Sequence, residues 1–313
     1  MKKKTKVFII ALLFLLCTGC TETIKDGKQV VTNKETGQTL TSNILCKPED
    51  KQLLETYEKY DKKLQVKLDD LPTCKKFTPN KIKYNSLWES MFVKPLAWII
   101  LTLGYLVKNM GISVIIIGLL IRLVMMPLQI KTVKQSENMK KAQPEIARIE
   151  KKYKDKTDND SLMMKSQETM MVYKKYQINP IGSCLGAFIQ LPLFFAFLEA
   201  INRVPAIFEG SFLGMKLGMT PTAGISQQNY IYIVLIVLII LSTFLSFKNS
   251  MGNNQNQNPE MAQQMKYMFI FMIIMVSFAS LSLPTAIALY WIVTNLFAVI
   301  QNYIIKKIIE KRI

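Results

Sequence analysis

Beyond Met110 five apolar stretches follow one another, at about 111–130, 181–201, 230–247, 267–283 and 285–305. Each is near the roughly 20 residues that carry a helix across a bilayer, where every backbone N–H and C=O must be satisfied within its own segment. The spacing points to an all-α polytopic membrane protein with five transmembrane helices. Half of the residues are apolar and a fifth are charged, a balance that fits apolar spans joined by hydrophilic loops. The last two stretches are separated only by Ser282-Leu283-Pro284, which reads as a tight hairpin.

Direction follows from charge. The loop 131–179 carries twelve Lys/Arg against seven Asp/Glu, whereas 202–229 carries only Arg203 and Lys216. The short basic tail 306–313 adds Lys306, Lys307, Lys311 and Arg312. Basic loops stay inside, so the large loop and the tail are expected to be cytoplasmic and the mature N-terminus outside. Five spans supply the odd number this requires. Within 131–179, Ala142, Ile146, Ile149 and Tyr153 recur at four-three-four spacing, and Thr169, Met170, Tyr173 and Tyr176 continue it after a break. Thr157-Asp158-Asn159-Asp160 is turn chemistry and Asn179-Pro180 a stop, so a cytoplasmic helical hairpin is expected. The charges of Lys151, Lys152 and Lys154 read first as a solvated face.

One residue breaks the apolar pattern. Arg122 stands inside ISVIIIGLLIRLVMMPLQI, residues 112–130. A charge there costs at least about 2.5–3.5 kcal/mol on insertion scales. Among the other apolar stretches the carboxylate nearest to hand is Glu199, close to the far end of its own segment. At about 1.5 Å per helical residue, Arg122 lies about 12 Å from the cytoplasmic end and Gln190 about 14 Å. Thr294 and Asn295 fall about 16 Å from that end, with Trp291 one turn higher and Glu199 near 27 Å. Arg122, Gln190, Trp291, Thr294 and Asn295 are therefore expected to ring a hydrophilic pocket open to the cytosol. Taken singly, Gln190, Thr294 and Asn295 read as hydrogen-bonding glue between helices, and Trp291 as packing. Arg122 does not, because glue needs no charge. Met125, Met126, Met268, Met272 and Met275 would give a yielding apolar interior, although lipid-facing placement is the ordinary reading of any single one.

The N-terminal third is different in kind. Residues 1–20 have the parts of a lipoprotein-type signal peptide: Lys2, Lys3, Lys4 and Lys6, an apolar run, then Thr18-Gly19-Cys20. Cys20 is the expected lipidation site, with Cys17 standing where a lipobox usually has leucine; an uncleaved signal anchor is the alternative. Residues 21–86 read as a polar extracellular segment, loosely ordered, with one short helix within 49–68. Cys46 and Cys74 are a candidate disulfide if that segment is extracellular, and two independent thiols otherwise. Residues 87–109 place Trp88, Met91, Phe92, Leu96, Ile99, Leu103 and Leu106 at helical spacing. With Lys94-Pro95 near its start and Trp88 and Trp98 as interface anchors, the segment reads as an outer interfacial amphipathic helix. A spanning helix is the competing reading, and it would reverse the topology.

The chain has no histidine, which excludes His-dependent triads, His-ligated metal sites and imidazole relays. No Walker A loop, G-x-G-x-x-G, H-E-x-x-H or G-x-S-x-G is present, and no cofactor or metal is expected.

Together these residues resemble the YidC family of membrane-protein insertases, in its Gram-positive-type form with a lipoprotein-like signal. The likeness rests on Ile121-Arg122-Leu123 through Pro127-Leu128, on Gln143-Pro144-Glu145, and on Asn179-Pro180-Ile181. It extends to Phe188-Ile189-Gln190-Leu191-Pro192 and to Leu289-Tyr290-Trp291 with Asn295. Two departures are the long outer segment and the short basic tail. The resemblance implies a five-helix core over 110–305, including the hairpin 131–179, in which Arg122, Gln190 and Trp291 line a cytoplasm-facing groove. It makes nascent membrane proteins the expected partners within the lipid bilayer. The Sec translocon, the ribosome and the signal recognition particle machinery are further candidates, and no specific nucleic-acid sequence is expected. The implied activity is a non-covalent insertase and chaperone without nucleotide hydrolysis, in a bacterial cell membrane. The alternatives are a transporter or channel component with an anion site at Arg122, a membrane enzyme using Glu199 or Cys184, and a passive assembly lipoprotein.

Overall fold

The computed structural model describes residues 21–82, 86–179, 192–251 and 259–311. The chain divides into two compact units: one of Met1–Leu120, Gln190–Ile239 and Ser277–Val293, the other of Ile121–Ile189, Ile240–Val276 and Thr294–Ile313.

The first unit contains the N-terminal segment, and that segment is folded rather than loosely ordered. Strands β1 (Lys25–Asp26) and β2 (Gln29–Val30) pair antiparallel around Gly27, whose φ of +61° suits a glycine. A single helix, α1 (Lys51–Lys59), follows, capped by the Asp50 side chain accepting from the Leu53 N–H. The remainder is built from 3-10 turns and loops. Ile24, Leu40, Ile44, Leu45, Leu53, Tyr57, Leu68, Leu71 and Phe77 are all buried, and Cys46 and Cys74 form a disulfide among them. These apolar residues come one or two at a time, so their burial leaves no periodic trace in the sequence. Burial pushes the Tyr57 hydroxyl up to about 12.

The segment is seated on the helix Pro192–Asn202 and the loop that follows it. Leu45 N–H donates to the Arg203 carbonyl, and Thr41 Oγ1 donates to the Asn202 carbonyl. Glu209 Oε1 accepts from the Glu49 and Asp50 N–H groups at 2.8 and 3.1 Å. Thr220 N–H donates to the Thr36 carbonyl, and Glu35 pairs with Lys216. Gly37, at φ +70°, lies so close that an added Cβ would meet Thr220 Oγ1 at 2.5 Å.

Residues 89–106 continue as a π-helical turn, Glu89–Val93, and a helix, Lys94–Leu106. One face buries Trp88, Val93, Ala97, Ile100 and Leu101, while Met91, Trp98, Ile99 and Leu106 are exposed. Trp98 is 41% exposed. Trp88 is not the interface anchor expected: it is 3% exposed, and its indole N–H donates to Glu199 Oε2 at 2.9 Å. Lys94 is likewise buried, its ammonium donating to the Ile82 carbonyl.

In the second unit the hairpin expected from the four-three-four spacing is present. Met126–Lys152 packs against Asn159–Lys175. Ala142, Ile146, Val172 and Ile178 form its core, with Met139, Ile149, Tyr173 and Tyr176 against it. Met170 is an exception to the predicted stripe, standing 51% exposed. Asp158 caps the second arm by accepting from the Ser161 N–H at 2.8 Å. Lys152–Glu168 and Lys175–Glu145 bridge the arms at their two ends.

Among the described residues three helices, Glu89–Leu106, Ile231–Asn249 and Thr285–Ile309, are long and apolar enough to cross a membrane. A fourth arises if Met110–Val124 and Met126–Lys152, bent by 58° at their junction, are one span. Pro192–Asn202 and Phe269–Ser282 are shorter apolar helices within the other two expected spans. Pro284 separates the last pair as expected, between helices Pro259–Ser282 and Thr285–Glu310. This is an all-α membrane protein with minor two-stranded pairings.

Candidate functional site

Arg122 occupies the last turn of the helix Met110–Val124 and is half-buried. The helix does not run straight to Ile130, as the depth of about 12 Å assumed. Pro127 has no N–H to return to the Leu123 carbonyl, so the hydrogen-bonding ladder is interrupted and the next helix starts at Met126. The kink is thus written in Met125-Met126-Pro127, a signal that the apolar pattern masks.

In the second unit polar side chains bond between helices, and one of them reaches Arg122. Gln301, 3% exposed, donates its amide to the Arg122 carbonyl at 3.2 Å. Thr294 is buried on the same helix, and Asn295 Nδ2 donates to Thr243 Oγ1 at 3.1 Å. Six residues below Thr243, Asn249 Nδ2 donates to the Val299 carbonyl at 3.1 Å. Helices Ile231–Met251 and Thr285–Glu310 are therefore tied by two polar rungs, and the second of them reaches Arg122 through Gln301. Thr243 and Gln301 were not singled out from sequence. Their signal is available: a hydroxyl and an amide inside otherwise apolar spans, which commonly bond between membrane helices.

Trp291 belongs to the first unit, where it meets Phe194 edge-on at 5.5 Å. Phe197 stacks on Tyr290 at 4.0 Å beside it. Met125, Met126 and Met272 are half-buried, whereas Met275 is 53% exposed and faces outward. Gln190, Cys184 and Cys20 lie outside the described residues, as does the Pro180-Ile181 step.

A second charged cluster went unread in the sequence. Arg203 is fully buried; its Nε donates to the Asn43 carbonyl at 2.6 Å, and Nη1 meets Glu89 at 2.6 Å and Glu199 at 3.5 Å. Glu199 is therefore occupied by Arg203 and Trp88. The i,i+4 spacing of Glu199 and Arg203 is the sequence signal for half of this cluster; Glu89, more than a hundred residues away, left none.

The Arg122 region presents a permanent cation on an apolar helix whose main-chain carbonyl is bonded by the Gln301 amide.

Residues 102–312 match the family model described as 60Kd inner membrane protein. A membrane protein insertase YidC of Oceanobacillus iheyensis is 37% identical over 233 residues, covering 74% of this chain and 86% of that one. The membrane protein insertase MisCA of Bacillus subtilis is 35% identical over 220 residues, covering 70% and 79%. The crystal structure titled as an active YidC insertase with its first transmembrane domain resolved aligns with a TM-score of 0.51 at 27% identity. That alignment covers 72% of this chain and 48% of the other, so the present chain spans about half of it. On the family model and the relatives together, the chain belongs to the 60Kd inner membrane protein family, the family of the YidC insertases.

Proposed function

We propose that this protein inserts nascent membrane proteins into the lipid bilayer, and that Arg122 meets the substrate's hydrophilic tail on the way. The observation that carries the reading is a guanidinium seated on an apolar helix, beside a helix whose inward residues are Thr294, Asn295 and Gln301. The names of the relatives at 35–37% identity support the same class of activity.

Moving a polar tail through hydrocarbon is costly because each unsatisfied polar group loses its water. A cation at intermediate depth divides that cost. An acidic tail entering from the cytosol is held part-way by Arg122. The attached apolar segment then passes into lipid, and its burial supplies the net free energy at about 25 cal/mol per Å². Covalent chemistry and nucleotide hydrolysis have no part in this scheme.

The same reading assigns direction. The basic hairpin and tail are cytoplasmic, and the disulfide-bonded segment lies outside, where oxidising conditions keep Cys46 and Cys74 paired. Cys20, as a lipidated N-terminus, would anchor that segment to the outer leaflet. The Sec translocon, the ribosome and the signal recognition particle machinery are candidate partners on this topology.

The test is insertion of a single-span substrate into proteoliposomes, followed by protease protection. Arg122→Ala should lower insertion of an acidic-tailed substrate by about tenfold, the equivalent of roughly 1.4 kcal/mol, while Arg122→Lys keeps part of it. Equal insertion by the Ala variant and the wild type would remove Arg122 from the mechanism.

A further inference from the structure

Arg122 sits where a helix stops, and the last four carbonyls of a helix have no donor from the following turn of that helix. Val124 ends this helix, and Pro127 withholds the N–H that would have served Leu123. At that place the amide of Gln301 donates to the Arg122 carbonyl at 3.2 Å from a side chain only 3% exposed. Gln301 is itself held. Its helix is fixed to Ile231–Met251 by Asn295 bonding Thr243 and by Asn249 bonding Val299, six and two residues before Gln301.

We propose that Gln301 is a positioning residue for Arg122. Its amide holds the Arg122 main chain at the break, and so fixes the direction in which the guanidinium leaves the helix. A donor on the main chain of residue 122 constrains the Cα–Cβ vector and does not itself bond the charged head. The inference deepens the insertase reading and rests on it, because positioning matters only if Arg122 meets substrate.

The full-length protein is reconstituted in proteoliposomes with two substrates that differ only in tail charge, one acidic and one neutral. Gln301→Met keeps the volume and removes the donor. Gln301→Asn keeps a buried amide but shortens it by one methylene, withdrawing it from the Arg122 carbonyl. Both variants should insert the acidic-tailed substrate about two- to tenfold less well, the range expected for one lost hydrogen bond, with the neutral-tailed substrate unchanged within about twofold. In an Arg122→Ala background neither substitution should lower insertion further. A loss equal for both tails, or one that adds in full to Arg122→Ala, would make Gln301 ordinary helix packing and overturn the proposal. Should Gln301→Met not assemble, Gln301→Asn decides alone: wild-type insertion of the acidic tail by that variant overturns the proposal as well. Tail-independent insertion by Arg122→Ala itself is a separate result, which would sink the insertase role of Arg122 rather than the positioning by Gln301.

Discussion

Arg203 shows what a single side chain does to this fold. Its guanidinium is sealed from solvent among the Asn43 carbonyl, Glu89 and Glu199, and Trp88 donates to the far oxygen of Glu199. The cluster ties the N-terminal segment, the helix start at Glu89 and the end of Pro192–Asn202 into one unit. Removing one member of a buried ionic set leaves its partners charged and unsolvated, a loss of about 3–5 kcal/mol. Arg203→Leu should therefore lower the thermal unfolding midpoint of the detergent-solubilised protein by several degrees, and adding Glu89→Gln should restore part of it, because the second change removes an orphaned charge. Additive losses would mean the two residues are not coupled. At this scale the sequence was a partial guide. It identified Arg122 as a charge without local reason. It misread Trp88, whose aromatic ring at helical spacing looks the same whether it faces an interface or donates to a carboxylate 111 residues away.

At the scale of elements, the hairpin and the N-terminal segment contrast. The hairpin was legible because two long helices repeat their contacts: Ala142, Ile146 and Ile149 meet Val172, Tyr173 and Tyr176 at a period that survives in one dimension. Its acid sensitivity follows from its end bridges. The Lys175 ammonium and the Tyr176 hydroxyl hold Glu145 below the usual carboxylate value of 4.5, and Lys152 with Tyr153 does so for Glu168. Carboxyls lowered in the folded state stabilise it fully above the unfolded value, and the contribution disappears as pH falls through the lowered one. Distances between labels placed at 150 and 167 should thus broaden below about pH 4.5 in the wild type. In the Glu145→Gln, Glu168→Gln double variant they should be broad already at pH 7 and insensitive to acid. A wild-type distribution unchanged at pH 3 would contradict this.

The N-terminal segment was illegible for the opposite reason. Ile24, Leu40, Leu45, Leu68 and Phe77 are buried from isolated positions in turns, and a segment of this size lacks the area to hold itself together by burial alone. The Cys46–Cys74 link compensates. It closes a separation of 28 residues, worth about 3.5 kcal/mol on the chain-entropy account. Cys46→Ser with Cys74→Ser should make this segment the first part cleaved by external protease, while the rest of the chain stays intact. Unchanged protection would show that the contacts to Asn202, Arg203 and Glu209 suffice without the covalent tie.

For the whole molecule, apolar stretch lengths foretold an all-α membrane protein, but they could not reveal where a span bends. The helix breaks at Met125, and Gln301 bonds the main chain that carries the charge. On the proposed function Arg122 meets a membrane protein during its insertion. The most direct test of this is a photoreactive amino acid at position 122, with stalled nascent chains of increasing length supplied from the cytosolic face. Crosslinks to the substrate's hydrophilic tail, appearing at intermediate lengths and fading once the span has reached lipid, are the predicted result. Crosslinks to lipid or to this protein alone at every length, or solute flux through proteoliposomes without any substrate adduct, would contradict it.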